Sequence, residues 1–411
     1  MTLKNKVWRD SMRVVKKISI GALALSLAAV GFATPVFAQV KVGVINSTSG
    51  AFSAFGQRYQ TGMDVALEEI NAAGGINGEM LELVVQDDRS EAQSALAAVE
   101  SMKNQGIPLV IGSYASSITG PMARLMTRQK MPLIVLGSAD DSITNPGSPW
   151  VFRAKHNSTI VANTYFDFFD SLREKDPEGL KNVAILHGNG AWPTSLAEEG
   201  KRQIEKRGYS LSASQAYDQG TTDFRPILNR FRSANPDILY IVSYAEDGVA
   251  ITRQMKEVGL NAKIISLDTS SSLPSYIEQV GDLADYVVST VSWSKDVKYD
   301  GAAELEERLR AKANGEPSFY EAEGYLAVRV AADALQRAKS KEPEDIRQAL
   351  AETNLETPVT SVTFEDWGPF KGQNPIRSLI LQIQDGKHVT VFPEDLAAKA
   401  PQYPTPAWDQ R

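Results

Sequence analysis

Residues able to do covalent chemistry are scarce in this chain. It has no cysteine, so thiol nucleophiles and thiolate ligands are excluded. Its three histidines, His156, His187 and His388, lie far apart, and none shows HExxH spacing or another metal-ligand pattern. Neither a GxSxG elbow nor a GxxxxGK[ST] phosphate loop is present. The glycine cluster Gly74–Gly78 follows a helical stretch and precedes a strand, the reverse of a dinucleotide fingerprint, and reads as a tight turn. The pair Asp87-Asp88 reads as a solvated strand end. No enzyme, cofactor or metal centre is expected from these residues.

Residues suited to binding are better placed. In open α/β sheets, ligands meet the carboxyl ends of strands, where loops and helix N-termini converge. Val110-Ile111-Gly112-Ser113-Tyr114-Ala115-Ser116-Ser117 is such an end. Hydroxyls and unpaired backbone N–H groups at a helix start suit a carboxylate, although Ser116 or Ser117 serves equally as an ordinary N-cap. Further on, Trp192, Tyr244 and Asp268 each follow a hydrophobic run. Two aromatic walls and one carboxylate suit a zwitterion or small cation, the carboxylate pairing an ammonium. Taken singly, Trp192 is equally a core residue, Tyr244 a packed loop residue and Asp268 a helix cap.

The elements that must position these groups alternate. Strands are expected at 40–45, 81–85, 109–111, 133–136, 183–186, 238–242 and 264–267. Between them fall helical patterns at 56–73, 91–104, 116–129, 195–207, 224–233 and 248–258. Such alternation means βαβ units and parallel sheets. The alternation restarts after Val151-Phe152-Arg153, so two doubly wound halves are expected, with a crossover near 154–158. A third region, with helices at 302–313 and 320–338, returns to the first half, and strands at 379–384 and 388–392 finish the second.

The N-terminus carries Lys4, Lys6, Arg9, Arg13, Lys16 and Lys17, then an uncharged run to Ala33 and Thr34-Pro35-Val36-Phe37-Ala38. This is the pattern of a secretory signal peptide cut after Ala38. The absence of cysteine removes any lipid-attachment site, so a free periplasmic protein is expected. The first 38 residues hold six basic residues and one acidic, so the 373 that follow carry a net −12 against −7 for the whole chain. An acidic chain without a basic cluster is not a nucleic-acid binder. Its length suits two lobes.

Taken together these segments resemble the leucine/isoleucine/valine-binding family of periplasmic proteins, which serve ABC importers. The likeness runs through Lys41-Val42-Gly43-Val44, Ser49-Gly50, Phe55-Gly56, the string Glu68 to Gly78, Asp87-Asp88, Ile111-Gly112 with Ser116-Ser117, Thr221-Thr222-Asp223-Phe224 and the Tyr244 segment. The resemblance implies an α/β, type I periplasmic-binding fold, with two Rossmann-like lobes joined by a three-stranded hinge. The expected lobes are 39–155 with 289–365, and 156–288 with 366–411.

By resemblance, the carboxylate-binding serine falls on Ser116, beside Ser117, and a backbone contact on Gly137. A family threonine contact falls on Ala139, the wall aromatics on Phe55, Trp192 and Tyr244, and the ammonium-binding acid on Asp268. Ala139 brings no hydroxyl, so that contact is lost or moves to Ser138 or Asp140. Ser90 and Ala115 stand where relatives carry a disulfide. The implied function is a monomeric solute-binding component of an ABC importer. It would take an amino acid or related carboxylate or amide and work with permease subunits and cytoplasmic ATPases. A ligand sensor for a membrane receptor, or a secreted hydrolase, is the alternative.

Overall fold

The computed structural model describes residues 39–313 and 315–411. The expected signal peptide and its cleavage point lie outside the described residues.

Two seven-stranded sheets share one plan. The first is laid down by β1 (Gln39–Asn46), β2 (Met80–Asp87), β3 (Val110–Gly112), β4 (Leu133–Val135) and β5 (Val151–Arg153). The second follows with β6 (Asn182–Gly188), β7 (Ser210–Tyr217), β8 (Ile238–Ser243), β9 (Ile264–Thr269) and β10 (Val288–Val291). A short ribbon, β11 (Asn354–Leu355) with β12 (Val362–Thr363), precedes β13 (Glu365–Trp367) and β14 (Phe370–Gln373), which join the first sheet. The strands β15 (Leu379–Gln384) and β16 (Lys387–Phe392) join the second. The orders are β2-β1-β3-β4-β5-β14-β13 and β7-β6-β8-β9-β10-β15-β16. In each, the first five strands run parallel in a doubly wound order, whose switch point is the usual place for a ligand. Central strands such as β8 and β9 are buried along their whole length, as parallel strands covered on both faces require.

Helices cover both sheets: α1 (Ser53–Ala72), α2 (Ala92–Asn104), α3 (Ser116–Gln129), α4 (Ser158–Arg173), α5 (Ala191–Arg207), α6 (Arg225–Ala234), α7 (Ala245–Val258), α8 (Pro274–Val280), α9 (Ala302–Lys312), α10 (Phe319–Arg337) and α11 (Pro343–Ala351). The long return helix α10 packs on α1. Glycine makes this approach possible. A Cβ on Gly62 would stand 1.8 Å from the Glu321 carbonyl oxygen, and one on Gly324 would stand 2.2 Å from that of Tyr59. No described helix is long and apolar enough to cross a membrane.

Strand membership shifts two expected boundaries. The second lobe keeps β10, which pairs with β9 and β15, so the chain leaves it after Val291 and not at 289. The first lobe keeps β13 and β14, because Gln373 pairs with Arg153 of β5, so the last crossing follows Asn374 and not 365. The buried Arg153 fixes this join: its Nε donates to Gln373 Oε1 at 2.7 Å and its Nη1 to Asp140 O at 2.9 Å. The helix α4 and the edge strand β7 had no counterpart in the sequence reading. Only one residue of β7, Tyr217, is fully buried, so its strand pattern is faint.

Candidate functional site

A narrow cleft lies where the carboxyl ends of the two sheets face each other, lined by Ser116, Gly137, Ala139, Trp192, Tyr244 and Asp268 among others. Six of the eight expected residues thus meet at one place, although they come from five separate strand ends.

On the first lobe, α3 opens with free N–H groups. Its first hydrogen bonds are donated by Ile118 and Thr119, both to Ala115 O, at 3.0 and 2.9 Å. That leaves the N–H groups of Ser116 and Ser117 without a backbone acceptor, beside the buried Ser116 hydroxyl, which accepts from the Asp140 N–H at 3.2 Å. A helix start with spare N–H donors and a hydroxyl is an anion seat. The Ser117 side chain is exposed and does not line the cleft.

On the second lobe, Asp268 is the penultimate residue of β9 and only 5% exposed. Its Oδ1 accepts from the Tyr165 hydroxyl at 2.8 Å, from Thr290 Oγ1 at 2.6 Å and from the Thr290 N–H at 3.3 Å. Among the described residues no donor reaches Oδ2, which is left open toward the cleft. Burial pushes the Asp268 carboxyl up, and the hydrogen bonds from Thr290 and Tyr165 offset part of that shift. Immediately after it, Thr269 takes φ 66° and ψ −58°, a costly conformation for a β-branched residue. The following serines brace this turn: Ser271 Oγ donates to Leu267 O and Ser272 Oγ to Thr269 O, both at 2.6 Å.

The walls are aromatic. Tyr244 caps α7 and Trp192 opens α5, with ring centroids 5.1 Å apart. Phe52 of the first lobe meets Tyr244 of the second at 5.4 Å, and the Asp141 N–H reaches Ser195 Oγ at 3.3 Å. The two lobes are therefore in contact across the mouth, and the form described is closed.

Several expectations need correction. Phe55 does not line the cleft; it stacks behind Tyr114, centroids 4.5 Å apart and planes 12° from parallel, and Tyr114 forms the wall in its place. Gly137 has both backbone groups in use, its N–H on Ser113 O at 3.0 Å and its carbonyl accepting from Lys155 Nζ at 2.9 Å. Its contribution is space, since a Cβ there would stand 2.7 Å from the Tyr59 hydroxyl. Neither Ser138 nor Asp140 replaces the hydroxyl missing at Ala139. Ser138 Oγ is tied to Tyr114 O at 3.0 Å and Thr119 Oγ1 at 2.6 Å, and neither residue lines the cleft. Asp88 is fully buried, accepting from Ser47 Oγ at 2.7 Å and the Ser90 N–H at 2.8 Å, so it braces the β1–α1 loop and is no solvated strand end.

Sequence reasoning missed Lys155, His156, Thr269, Thr290, Phe319 and Tyr320. Lys155 and His156 sit in the first crossing segment, Thr269 and Thr290 lie in β9 and β10, and Phe319 and Tyr320 open α10 on the returning chain, so no local pattern marks them. Lys155 Nζ pairs with Glu323 Oε2 at 3.2 Å, both side chains being almost fully buried. Glu323 also accepts from the Tyr59 hydroxyl at 2.9 Å and the Ser292 hydroxyl at 2.7 Å. Burial lowers the Lys155 ammonium, with Glu323 opposing. His156, hydrogen-bonded through Nδ1 to Ser378 Oγ at 2.9 Å, is held well below the usual imidazole range by burial, then by Lys155 and Arg153.

Comparison with known proteins gives a consistent picture. A family model described as periplasmic binding protein matches residues 39–387. A leucine-, isoleucine-, valine-, threonine- and alanine-binding protein of Pseudomonas aeruginosa is 26% identical over 86% of this chain and 93% of its own. Among solved structures, the leucine-binding protein LivK of Thermotoga maritima superposes with a TM-score of 0.77 at 24% identity, covering 85% of this chain and 97% of its own. A LivJ substrate-binding protein of Streptococcus pneumoniae, solved with isoleucine, gives 0.74 at 23% identity, covering 85% and 97%. The fold is therefore the type I periplasmic-binding fold, and these relatives are binding proteins, not enzymes.

Proposed function

Because the chain belongs to the periplasmic binding protein family, we propose that it captures an α-amino acid or a close analogue in this cleft and hands it to the permease of an ABC importer. The carrying observation is the pairing of opposite requirements across one cleft. The open N-terminus of α3 with Ser116 asks for an anion, and the free Oδ2 of buried Asp268 asks for a cation. A zwitterion answers both, its carboxylate on α3 and its ammonium on Asp268, with Trp192, Tyr244 and Tyr114 packing its side chain. In the reading proposed here, solute docks on the first lobe, and closure brings Asp268 and the second-lobe aromatics against it. A ligand shifts such an equilibrium only by its differential affinity for the closed form. The permease would then recognise that form. The names of the relatives, binders of leucine, isoleucine, valine, threonine and alanine, support this class.

A thermal-shift screen of protein unfolded and refolded to strip bound solute tests the proposal, with amino acids, amides, urea and aromatic carboxylates. A solute at 100 times its Kd stabilises the fold by about 2.7 kcal/mol, a rise of a few degrees. Response to amino acids is the expected result. Response only to acids lacking an amine would refute the role given to Asp268.

A further inference from the structure

A second and larger cavity adjoins the cleft. It offers about 320 Å³ of free space, against about 30 Å³ left in the cleft itself. Its lining combines apolar side chains, Pro274 and Ile277 of α8, Val291, Trp293 and Leu381, with polar and charged ones such as Lys295 and Lys387. One residue lines both spaces: Phe319, the first residue of α10, 5% exposed. Its ring lies against Tyr320 with centroids 4.0 Å apart.

The other walls of the cleft have packed matter behind them. Tyr114 is backed by Phe55 and Tyr59, and Tyr244 touches Trp192 and Phe52. Ala139 packs in the second-lobe core, and Asp268 is held by Tyr165. Behind Phe319 there is open volume. We infer that Phe319 is a partition that sets the upper size of the solute, and that the cavity behind it is a latent extension of the site, fit for the tail of an α-amino acid with a long or aromatic side chain. The backbone at this point is held independently of the ring. Ser318 caps α10 through its hydroxyl on the Tyr320 N–H at 3.3 Å, and the Glu321 carboxylate returns to the Ser318 N–H at 2.9 Å. Replacing the ring therefore leaves the cap that starts the helix.

The inference rests on the amino-acid reading of the cleft, and the test separates the two. Wild type, Phe319→Ala and the double variant Phe319→Ala/Ile277→Trp are compared by calorimetry against leucine, phenylalanine and 2-aminooctanoate. Burying several added methylenes or a ring should bring Phe319→Ala a gain of about tenfold or more for 2-aminooctanoate or phenylalanine relative to wild type. The added indole in the double variant should cancel that gain by filling the cavity. Ile277→Trp alone should leave leucine binding unchanged. If circular dichroism shows Phe319→Ala unfolded, Phe319→Leu carries the same comparison, with a smaller gain expected.

No gain for either long solute, or a gain that survives Ile277→Trp, overturns the inference. Loss of leucine binding in the single Ile277→Trp variant also overturns it, since the cavity would already be part of the site. A wild type that binds no amino acid removes the reading of the cleft and the inference with it. A responsive wild type with no gain in the variant overturns the inference alone.

Discussion

Replacing Asp268 by asparagine isolates its charge. In wild type all three of its protein donors converge on Oδ1, at 2.6, 2.8 and 3.3 Å, from the side chain of Thr290, the hydroxyl of Tyr165 and the backbone of Thr290. An asparagine carbonyl can take that place and accept the same bonds, so the fold around β9 and β10 should persist. The open position, Oδ2, becomes an NH₂ donor facing the ammonium of the solute. The side chain is only 5% exposed, so solvent compensates little. Removing one partner of a buried, hydrogen-bonded charge pair costs about 2–5 kcal/mol, equivalent to about 30- to 5,000-fold in Kd. Isothermal calorimetry at pH 7.5 with the best amino acid from the screen measures the loss, and circular dichroism checks the fold. The raised carboxyl adds a second signature: binding to wild type should release protons as pH approaches that raised range, because the ammonium draws Asp268 into its charged form. The Asp268→Asn variant should show no such release. Binding within about threefold of wild type, a difference of under about 1 kcal/mol, would refute the assignment of the ammonium to Asp268.

Other outcomes follow from groups around the cleft. Glu323→Gln leaves the buried Lys155 ammonium, 3.2 Å away, without its counter-charge. Urea denaturation should show a loss of about 3–5 kcal/mol, and an unchanged midpoint would argue against the pair. Gly324→Ala should destabilise by about 1–3 kcal/mol, because its Cβ would stand 2.2 Å from the Tyr59 carbonyl oxygen. Helix propensity alone predicts the opposite sign by about 1 kcal/mol, so the direction of the shift decides between them. His156 is held neutral in the folded state, so the unfolded chain binds more protons once pH falls below its ordinary value of about 6.5. Stability should therefore fall between pH 7 and 5, and His156→Asn should flatten that slope; an identical slope would refute its contribution. His187 and His388 are also depressed by burial and contribute in the same direction.

Much of the site was legible because sheet chemistry concentrates function at strand ends. Ser116, Trp192, Tyr244 and Asp268 each follow a hydrophobic run, and a strand that is recognised announces where its carboxyl end must be. Phe55 entered the expected wall through the family resemblance alone, and Tyr114 from the neighbouring strand end stacks over it and takes its place. Periodicity shows which face a residue occupies and not which of two aromatic side chains reaches the ligand. The lobe boundaries erred where strands are short or polar. In β13 and β14, with the sequences EDW and FKGQ, too little is buried to mark a strand, and only pairing with β5 through Gln373 reveals their sheet.

The amino-acid sequence by itself determined the alternation of strand and helix, the absence of cysteine chemistry, the acidic balance and the strand ends at which binding residues must stand. These depend on composition and on contacts between near neighbours in the chain. Tertiary structure alone decided that Thr290, Phe319 and Tyr320 join a cleft begun at Ser116, 174 to 204 residues earlier in the chain. It also decided that Lys155 meets Glu323, that Asp268 keeps one oxygen free, and that open space lies behind Phe319. Each of these is a meeting of segments remote in the chain, set by how two sheets and a returning helix pack, and no local pattern of residue types encodes such a distance.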